Sequence, residues 1–258
     1  AVYGGGSYFA ASAAALFTQT VTKAGTTTAL TSAPNPVTLF QPVIFTATVT
    51  VAAPGAGAPT GVVTFTAGVT VLGSGIVGAD GVATVTTGSL VAGDHVITAS
   101  YAGDTAFAAS ASAAMTQTVH KVATTTALVN APATAVFGAP VVLTATVTVA
   151  DPGAGAPTGV VTFTAGALTL GCGGVGTGGV VTLTTAALPV GVHTIVAAYG
   201  GDALFAVSAS LGVSQTVHQA ATTTTLVGAP LATTYGQPAI YTATVSIVAP
   251  GAGTLAGA

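Results

Sequence analysis

The pentapeptide Thr26-Thr27-Thr28-Ala29-Leu30 returns as Thr124 to Leu128 and, with one change, as Thr222 to Leu226, each copy 98 positions after the last. Pro54, Pro152 and Pro250 open the same Pro-Gly-Ala-Gly segment. Gln19, Gln117 and Gln215 open the same Gln-Thr-Val triplet, and Tyr3, Tyr101 and Tyr199 keep the same spacing. No insertion or deletion disturbs this register. A drift-free period of about a hundred residues is too long for a solenoid coil and suits a tandem array of complete small domains. The expected boundaries are residues 1–23, the end of a partial repeat; 24–121 and 122–219, two whole repeats; and 220–258, the first part of another.

The opening Ala1 to Phe17 is rich in alanine and aromatics, like a signal-peptide core. However, Tyr3, Phe9, Ser12 and Gln19 overlie Tyr101, Phe107, Ser110 and Gln117, so the segment reads as the end of a repeat. The chain is therefore expected to be a window on a longer repetitive polypeptide.

Within a repeat the apolar residues alternate with threonine, as in Phe45-Thr46-Ala47-Thr48-Val49-Thr50-Val51. This is a strand pattern, because period-two alternation puts one residue type on each face of a pleated strand, and β-branched and aromatic residues pack well there. No apolar run has the uninterrupted length of a transmembrane helix. With aromatics at 6%, the girdles of a membrane barrel are missing as well. Turn residues divide the first whole repeat into seven expected strands: 26–32, 43–51, 61–66, 69–72, 82–87, 95–101 and 108–119. Gly73 to Gly75 serves as one of the breaks. Seven short strands in about a hundred residues, with turns every 8 to 12 positions, is the pattern of an immunoglobulin-like β-sandwich. The expected fold class is all-β, in tandem seven-stranded sandwiches.

Charge narrows the function classes. The chain has two Lys, no Arg, five Asp and no Glu, and its charged fraction of 3% compares with about 25% in ordinary globular domains. Two lysines at net charge −3 cannot neutralise a run of phosphates, so nucleic-acid binding and an anionic-membrane patch are excluded. One cysteine and no tryptophan exclude a disulfide framework and a thiolate zinc site.

Gly61-Val62-Val63-Thr64-Phe65 and the turn Tyr101-x-Gly103-Asp104-x-x-Phe107, with their second copies Gly159 to Phe163 and Tyr199-x-Gly201-Asp202-x-x-Phe205, resemble the bacterial Ig-like repeat found in tandem in large secreted or surface-displayed proteins. The resemblance covers the whole chain. It implies a spacer, stalk or adhesive role outside the cytoplasm, and no active site. In the opening fragment Gly6 stands where the turn aspartate would be.

The residues with chemical potential read as structural. His95 with His193, and His120 with His218, occupy two phases of the repeat. Pairing Tyr101 with Phe107 across the hairpin sets His95 opposite residue 113 and His120 roughly 23 Å further, at about 3.3 Å per residue, too far to share a metal. Asp104 and Asp202 sit in Gly-Asp turns, where the carboxylate bonds nearby backbone N–H groups; calcium would require more carboxylates than each repeat gathers. Asp80 belongs to an Asp-Gly turn, and Asp94 and Asp151 have apolar counterparts in the other repeat. Cys172 lies in Gly171-Cys172-Gly173-Gly174, read as a glycine-rich turn with no neighbouring base. No catalytic, cofactor or metal residue is expected, and no enzyme.

Tyr101 is expected to be a corner tyrosine bonded to backbone, and Phe65, Phe107, Leu90 and Val49, with their second copies, to be core. Val119 to Thr124 joins the repeats without Gly or Pro, so serial domains with a repeat of roughly 40 Å are expected. The expected function is that of a non-enzymatic extracellular structural segment, whose repeats associate with copies of themselves or with neighbouring chains. The alternative is a passive stalk that presents a tip domain. Partners would be copies of the chain and cell-surface or matrix ligands.

Overall fold

The computed structural model describes residues 1–151, 153–229 and 231–256, so Pro152 of the repeated Pro-Gly-Ala-Gly segment and the last two residues of the 220–258 segment lie outside it. Two short strands come first, β1 (Val2–Tyr3) and β2 (Ser12–Ala13). The first whole repeat supplies β3 (Thr26–Ala33), β4 (Val37–Thr38), β5 (Val43–Val51), β6 (Val62–Ala67), β7 (Thr70–Ile76), β8 (Val82–Thr87), β9 (Gly93–Tyr101), β10 (Ser110–Ala111) and β11 (Met115–His120). The second repeats the series as β12 (Thr124–Ala131), β13 (Thr134–Val136), β14 (Val141–Val149), β15 (Val160–Ala165), β16 (Leu168–Gly174), β17 (Val180–Thr185), β18 (Gly191–Tyr199), β19 (Ser208–Ala209) and β20 (Val213–His218). β21 (Thr222–Ala229) and β22 (Ile240–Ile247) form a two-stranded antiparallel sheet. Among the described residues no helix is long and apolar enough to cross a membrane.

Each whole repeat is a two-sheet sandwich. In the first, one sheet runs β3-β5-β8 and the other β4-β11-β9-β6-β7, with β10 on β9; in the second, the orders are β12-β14-β17 and β13-β20-β18-β15-β16, with β19 on β18. The ladders of the three-stranded sheets are antiparallel, whereas β13 lies parallel to β20. By contact density the chain divides into two compact units, one of Ala1–Val37, Pro42–Ser89 and Gly93–Thr118, the other of Thr38–Gln41, Leu90–Ala92 and the chain from Val119 onward.

Alternation decides what faces in. In β5, Val43, Phe45, Ala47 and Val49 are buried while the threonines between them face out; in β14, Val141, Leu143, Ala145 and Val147 do the same. Phe65, Phe107, Tyr101, Leu90 and Val49, and likewise Phe163, Phe205, Tyr199, Leu188 and Val147, are all buried, as their fixed phase requires. The outward threonines satisfy one another: Thr27 and Thr50 hydroxyls are 2.7 Å apart, as are those of Thr125 and Thr148.

Three expectations need correction. The Gly73-Ser74-Gly75 stretch is not a break, because β7 and β16 run straight through it, and Cys172 is an exposed strand residue opposite Thr162. The glycines allow close approach to the neighbouring strand: a Cβ on Gly75 would lie 2.7 Å from Thr84 O, and one on Gly173 2.7 Å from the Val181 side chain. The last strand is not continuous over 108–119 but splits into β10 and β11, since Ser112 turns its hydroxyl to Ala99 N (3.0 Å). The Pro34-Asn35-Pro36 break stands, but it is followed at once by the short β4, which the seven expected strands do not include.

The two cores exchange volume between strands. Phe45 is opposite Val85 in the first repeat, and the same pair in the second is Leu143 opposite Leu183. A large–small pair has become a medium–medium pair at nearly constant volume, the kind of swap a packed core tolerates. Phe45→Leu alone should destabilise the first repeat by about 1 kcal/mol, and Val85→Leu alone by about 1 to 3 kcal/mol through overpacking. Combined, they should recover most of that loss, a coupling of at least about 0.5 kcal/mol in a double-mutant cycle measured by urea unfolding. Additive losses would show that the two positions do not share volume.

Candidate functional site

The strongest concentration of polar chemistry in each repeat gathers around the turn aspartate. Gly103 has φ +78°, and a Cβ there would lie 2.8 Å from Phe107 O, so only glycine lets the chain fold back at this point. That fold brings Asp104 Oδ1 to the amides of Ala106 and Phe107, each donating at 2.8 Å. Oδ2 reaches across to the loop before β6, where Thr60 donates from its backbone N at 2.9 Å and its Oγ1 at 2.6 Å. The second repeat reproduces all four bonds: Leu204 N and Phe205 N to Asp202 Oδ1 at 2.8 Å, and Thr158 N (2.8 Å) and Oγ1 (2.6 Å) to Oδ2.

The same turn receives the chain that leads into its own repeat. Lys23 Nζ donates to the backbone carbonyl of Asp104, and Lys121 Nζ to that of Asp202. Val122 N donates to Leu204 O (2.9 Å), Ala206 N donates to Val122 O (2.8 Å), and Thr124 Oγ1 donates to Ala206 O (2.9 Å). Both lysines of the chain are thus spent on this turn. Tyr101 donates its hydroxyl to Thr60 O at 2.6 Å, so the expected backbone bond exists but spans strands to the loop before β6; the buried Tyr199 hydroxyl makes no matching bond.

The electrostatics follow. The Thr60 hydroxyl and amide, with the amides of Ala106 and Phe107, hold the Asp104 carboxyl far below the usual carboxylate range. For Asp202, desolvation opposes ionisation but is outweighed by the bonds from Thr158, Phe205 and Leu204, and the shift is again downward. Burial raises the Tyr101 and Tyr199 hydroxyls, and the neighbouring Asp104 and Asp202 charges add to it. Four donors occupy the lone-pair directions of each aspartate, so the carboxylate is a filled tie between a turn and a neighbouring loop rather than an open ligand.

The other candidates remain apart. His193 is opposite Gln215, not the residue at 211 that the expected hairpin register implies. The register differs because Tyr199 pairs with Ser208, leaving the Asp202-capped turn outside the ladder. His218 follows Gln215 by three positions, roughly 10 Å at about 3.3 Å per residue, far less than the expected 23 Å. His193 Nε2 is 2.8 Å from Pro189 O. Asp80 Oδ1 accepts from Val82 N (3.1 Å) in its turn, and Asp94 Oδ1 accepts from Thr118 Oγ1 (2.7 Å). Among the described residues no group of three or more His, Cys, Asp or Glu side chains is placed to hold a metal ion. The turn caps were readable from Gly-Asp alone. The Thr60 and Thr158 contribution was missed, although Pro-Thr-Gly accompanies Gly-Asp in both whole repeats.

Because the folded carboxyls titrate below the unfolded value of about 4, their contribution is fully present above that pH and is lost as the pH falls below it. Thermal melts followed by circular dichroism should show Tm flat near neutrality and falling below about pH 4. In the Asp104→Asn/Asp202→Asn double variant Tm should be lower at neutral pH and the acid slope shallower. An unchanged acid slope would remove the two aspartates from the account.

The chain was compared with known proteins. The family model described as bacterial Ig-like domain (group 3) matches residues 30–120 and again 128–218. No curated protein matches the chain in sequence. Among solved structures it is similar to the Clostridium thermocellum CbhA fibronectin(III)-like modules (19% identity, 74% of this chain and 93% of that one, TM-score 0.31). It is also similar to the Yersinia pseudotuberculosis adhesin InvE (18% identity, 73% of this chain and 58% of that one, TM-score 0.40). A third is FdeC, an Escherichia coli adhesin (18% identity, 84% of this chain and 72% of that one, TM-score 0.31). With two consecutive matches that together span well over half of its length, the chain belongs to the bacterial Ig-like domain (group 3) family.

Proposed function

We propose that this chain is an extracellular structural element that works by association and not by chemistry. Its repeats 24–121 and 122–219 would contact copies of themselves through the outer faces of their three-stranded sheets. The observation that carries this reading is the composition of those faces. In the first repeat Thr27, Ala29, Thr31, Ile44, Thr84 and Thr86 are exposed on one side of the sheet, with no charged residue among them. In the second, Val129, Val142 and Val180 are exposed on the equivalent face, at 63%, 40% and 39%. A face of hydroxyls and methyls without charge offers no repulsion to a second copy of itself, and burying its apolar part is favourable. All seven charged residues lie in turns, linkers or the start of β9.

One observation favours the alternative, a passive stalk: the hydroxyls of Thr27 and Thr50, and of Thr125 and Thr148, already bond each other, so the face does not need a partner. Sedimentation equilibrium of the full chain separates the two readings. Association should grow with concentration and be abolished by Ile44→Lys with Val142→Lys, which place like charges on both faces. A wild-type chain that stays monomeric at high concentration would favour the stalk, and association that survives both lysines would put the contact elsewhere; either result overturns the proposal.

A further inference from the structure

The seam between the first and last long strands of each repeat contains a buried glutamine, and the two repeats satisfy it differently. In the second repeat Gln215 is fully buried; its Nε2 donates to Thr216 O (3.3 Å) and its Oε1 accepts from Asn130 Nδ2 (2.8 Å), which also donates to Ser214 O (3.0 Å). In the first repeat Gln117 is equally buried, and its Nε2 donates to Pro34 O and Thr118 O at 3.2 Å each. Its Oε1 has no donor, and Ser32, which stands where the second repeat has Asn130, has a buried Oγ with no partner either.

The missing carboxamide has moved along the chain. Asn35, whose counterpart is Ala133, donates its Nδ2 to Thr116 O (2.8 Å), the counterpart of Ser214 O. Its Oδ1 accepts from Thr118 N (3.1 Å), a bond made in the second repeat by Thr216 N to the backbone of Ala133 (3.1 Å). From either position an asparagine can serve the strand carbonyl, but Asn130 also reaches the glutamine oxygen and Asn35 does not. Serine is shorter than asparagine by the outer atoms of a carboxamide, which is about the space one water takes. Ser32 and Gln117 correspond position for position to Asn130 and Gln215, whose side chains meet, so the two buried groups without partners face one gap in the seam, and such a gap selects a small molecule able to donate two hydrogen bonds.

We propose that the first repeat binds one internal water between Ser32 Oγ and Gln117 Oε1, in the place that Asn130 Nδ2 fills in the second. The water donates one hydrogen to Gln117 Oε1 and exchanges a second bond with Ser32 Oγ. One seam is therefore wet and the other dry in otherwise parallel domains.

The test is a crystal structure of the full chain at a resolution that shows ordered water, with the second repeat as internal control. Wild type should show a single water within about 3 Å of both Ser32 Oγ and Gln117 Oε1, and none at Gln215. In Ser32→Asn/Asn35→Ala, which copies the second repeat, the new carboxamide should take its place. Asn130→Ser should create a second water at Gln215. Direct contact of Ser32 with Gln117 and no water, or a water that persists beside the introduced asparagine, would overturn the proposal.

Discussion

The whole architecture depends on alternation without charge. Only seven of 258 residues are formally charged, so neither ion-pair networks nor a charged shell defines the surface. What separates inside from outside is the period-two pattern in β5, β14 and their neighbours, which buries Phe45, Ala47 and Val49, or Leu143, Ala145 and Val147, and turns threonine outward. A one-residue slip of register would exchange the two faces completely, and the cross-strand hydroxyl pairs would be lost with it. The sheets supply their own order; what remains is to close the loops with very few strong hydrogen-bonding groups.

That closure falls to the turn aspartate. One carboxylate accepts four hydrogen bonds and ties the turn after β9 to the loop before β6, while the backbone carbonyl of the same residue takes the lysine just before the repeat. Charge-assisted bonds of this kind are worth more than neutral ones, so spending a scarce charge here ties two segments with one side chain. The opening fragment separates this function from hairpin register. With Gly6 in place of aspartate, Tyr3 still pairs with Ser12, as Tyr101 pairs with Ser110, and Gly6 still bridges Phe9. The turn thus forms without the carboxylate, and the aspartate's particular contribution is the bond to threonine in the neighbouring loop.

How much of this was legible depended on whether local pattern and tertiary demand agreed. The strands 43–51 and 82–87 have the expected bounds because turn residues bracket them, Pro54-Gly55 soon after the first and Asp80-Gly81 just before the second. β7 and β16 were obscured because glycine serves two purposes: the pattern that normally marks a turn here marks a strand lying tightly against its neighbour at Thr84 or Val181. The hairpin register went wrong because it assumed that Tyr101 and Phe107 face each other. Phe107 leaves the ladder and instead bridges Ala24 at the start of the repeat. A contact more than eighty residues away in sequence cannot be read from the turn itself, and neither can the Thr60 bond to Asp104.

Internal repetition turns one chain into its own comparison. Two groups of positions that differ between the whole repeats do so in compensating sets: Phe45 with Val85 against Leu143 with Leu183, and Ser32 with Asn35 against Asn130 with Ala133. Each set keeps a local quantity, core volume in the first and a donor for one strand carbonyl in the second. The threonine–aspartate tie and the lysine that docks on it are, by contrast, identical in residue type and nearly identical in geometry. Volume can be divided between neighbours in many ways, so packing tolerates exchange. A carboxylate with four fixed donors has one geometric solution, so it does not. The contrast distinguishes what the fold needs only in aggregate from what it needs atom by atom, and it places the second kind in the turn that joins the start, the middle and the end of each repeat.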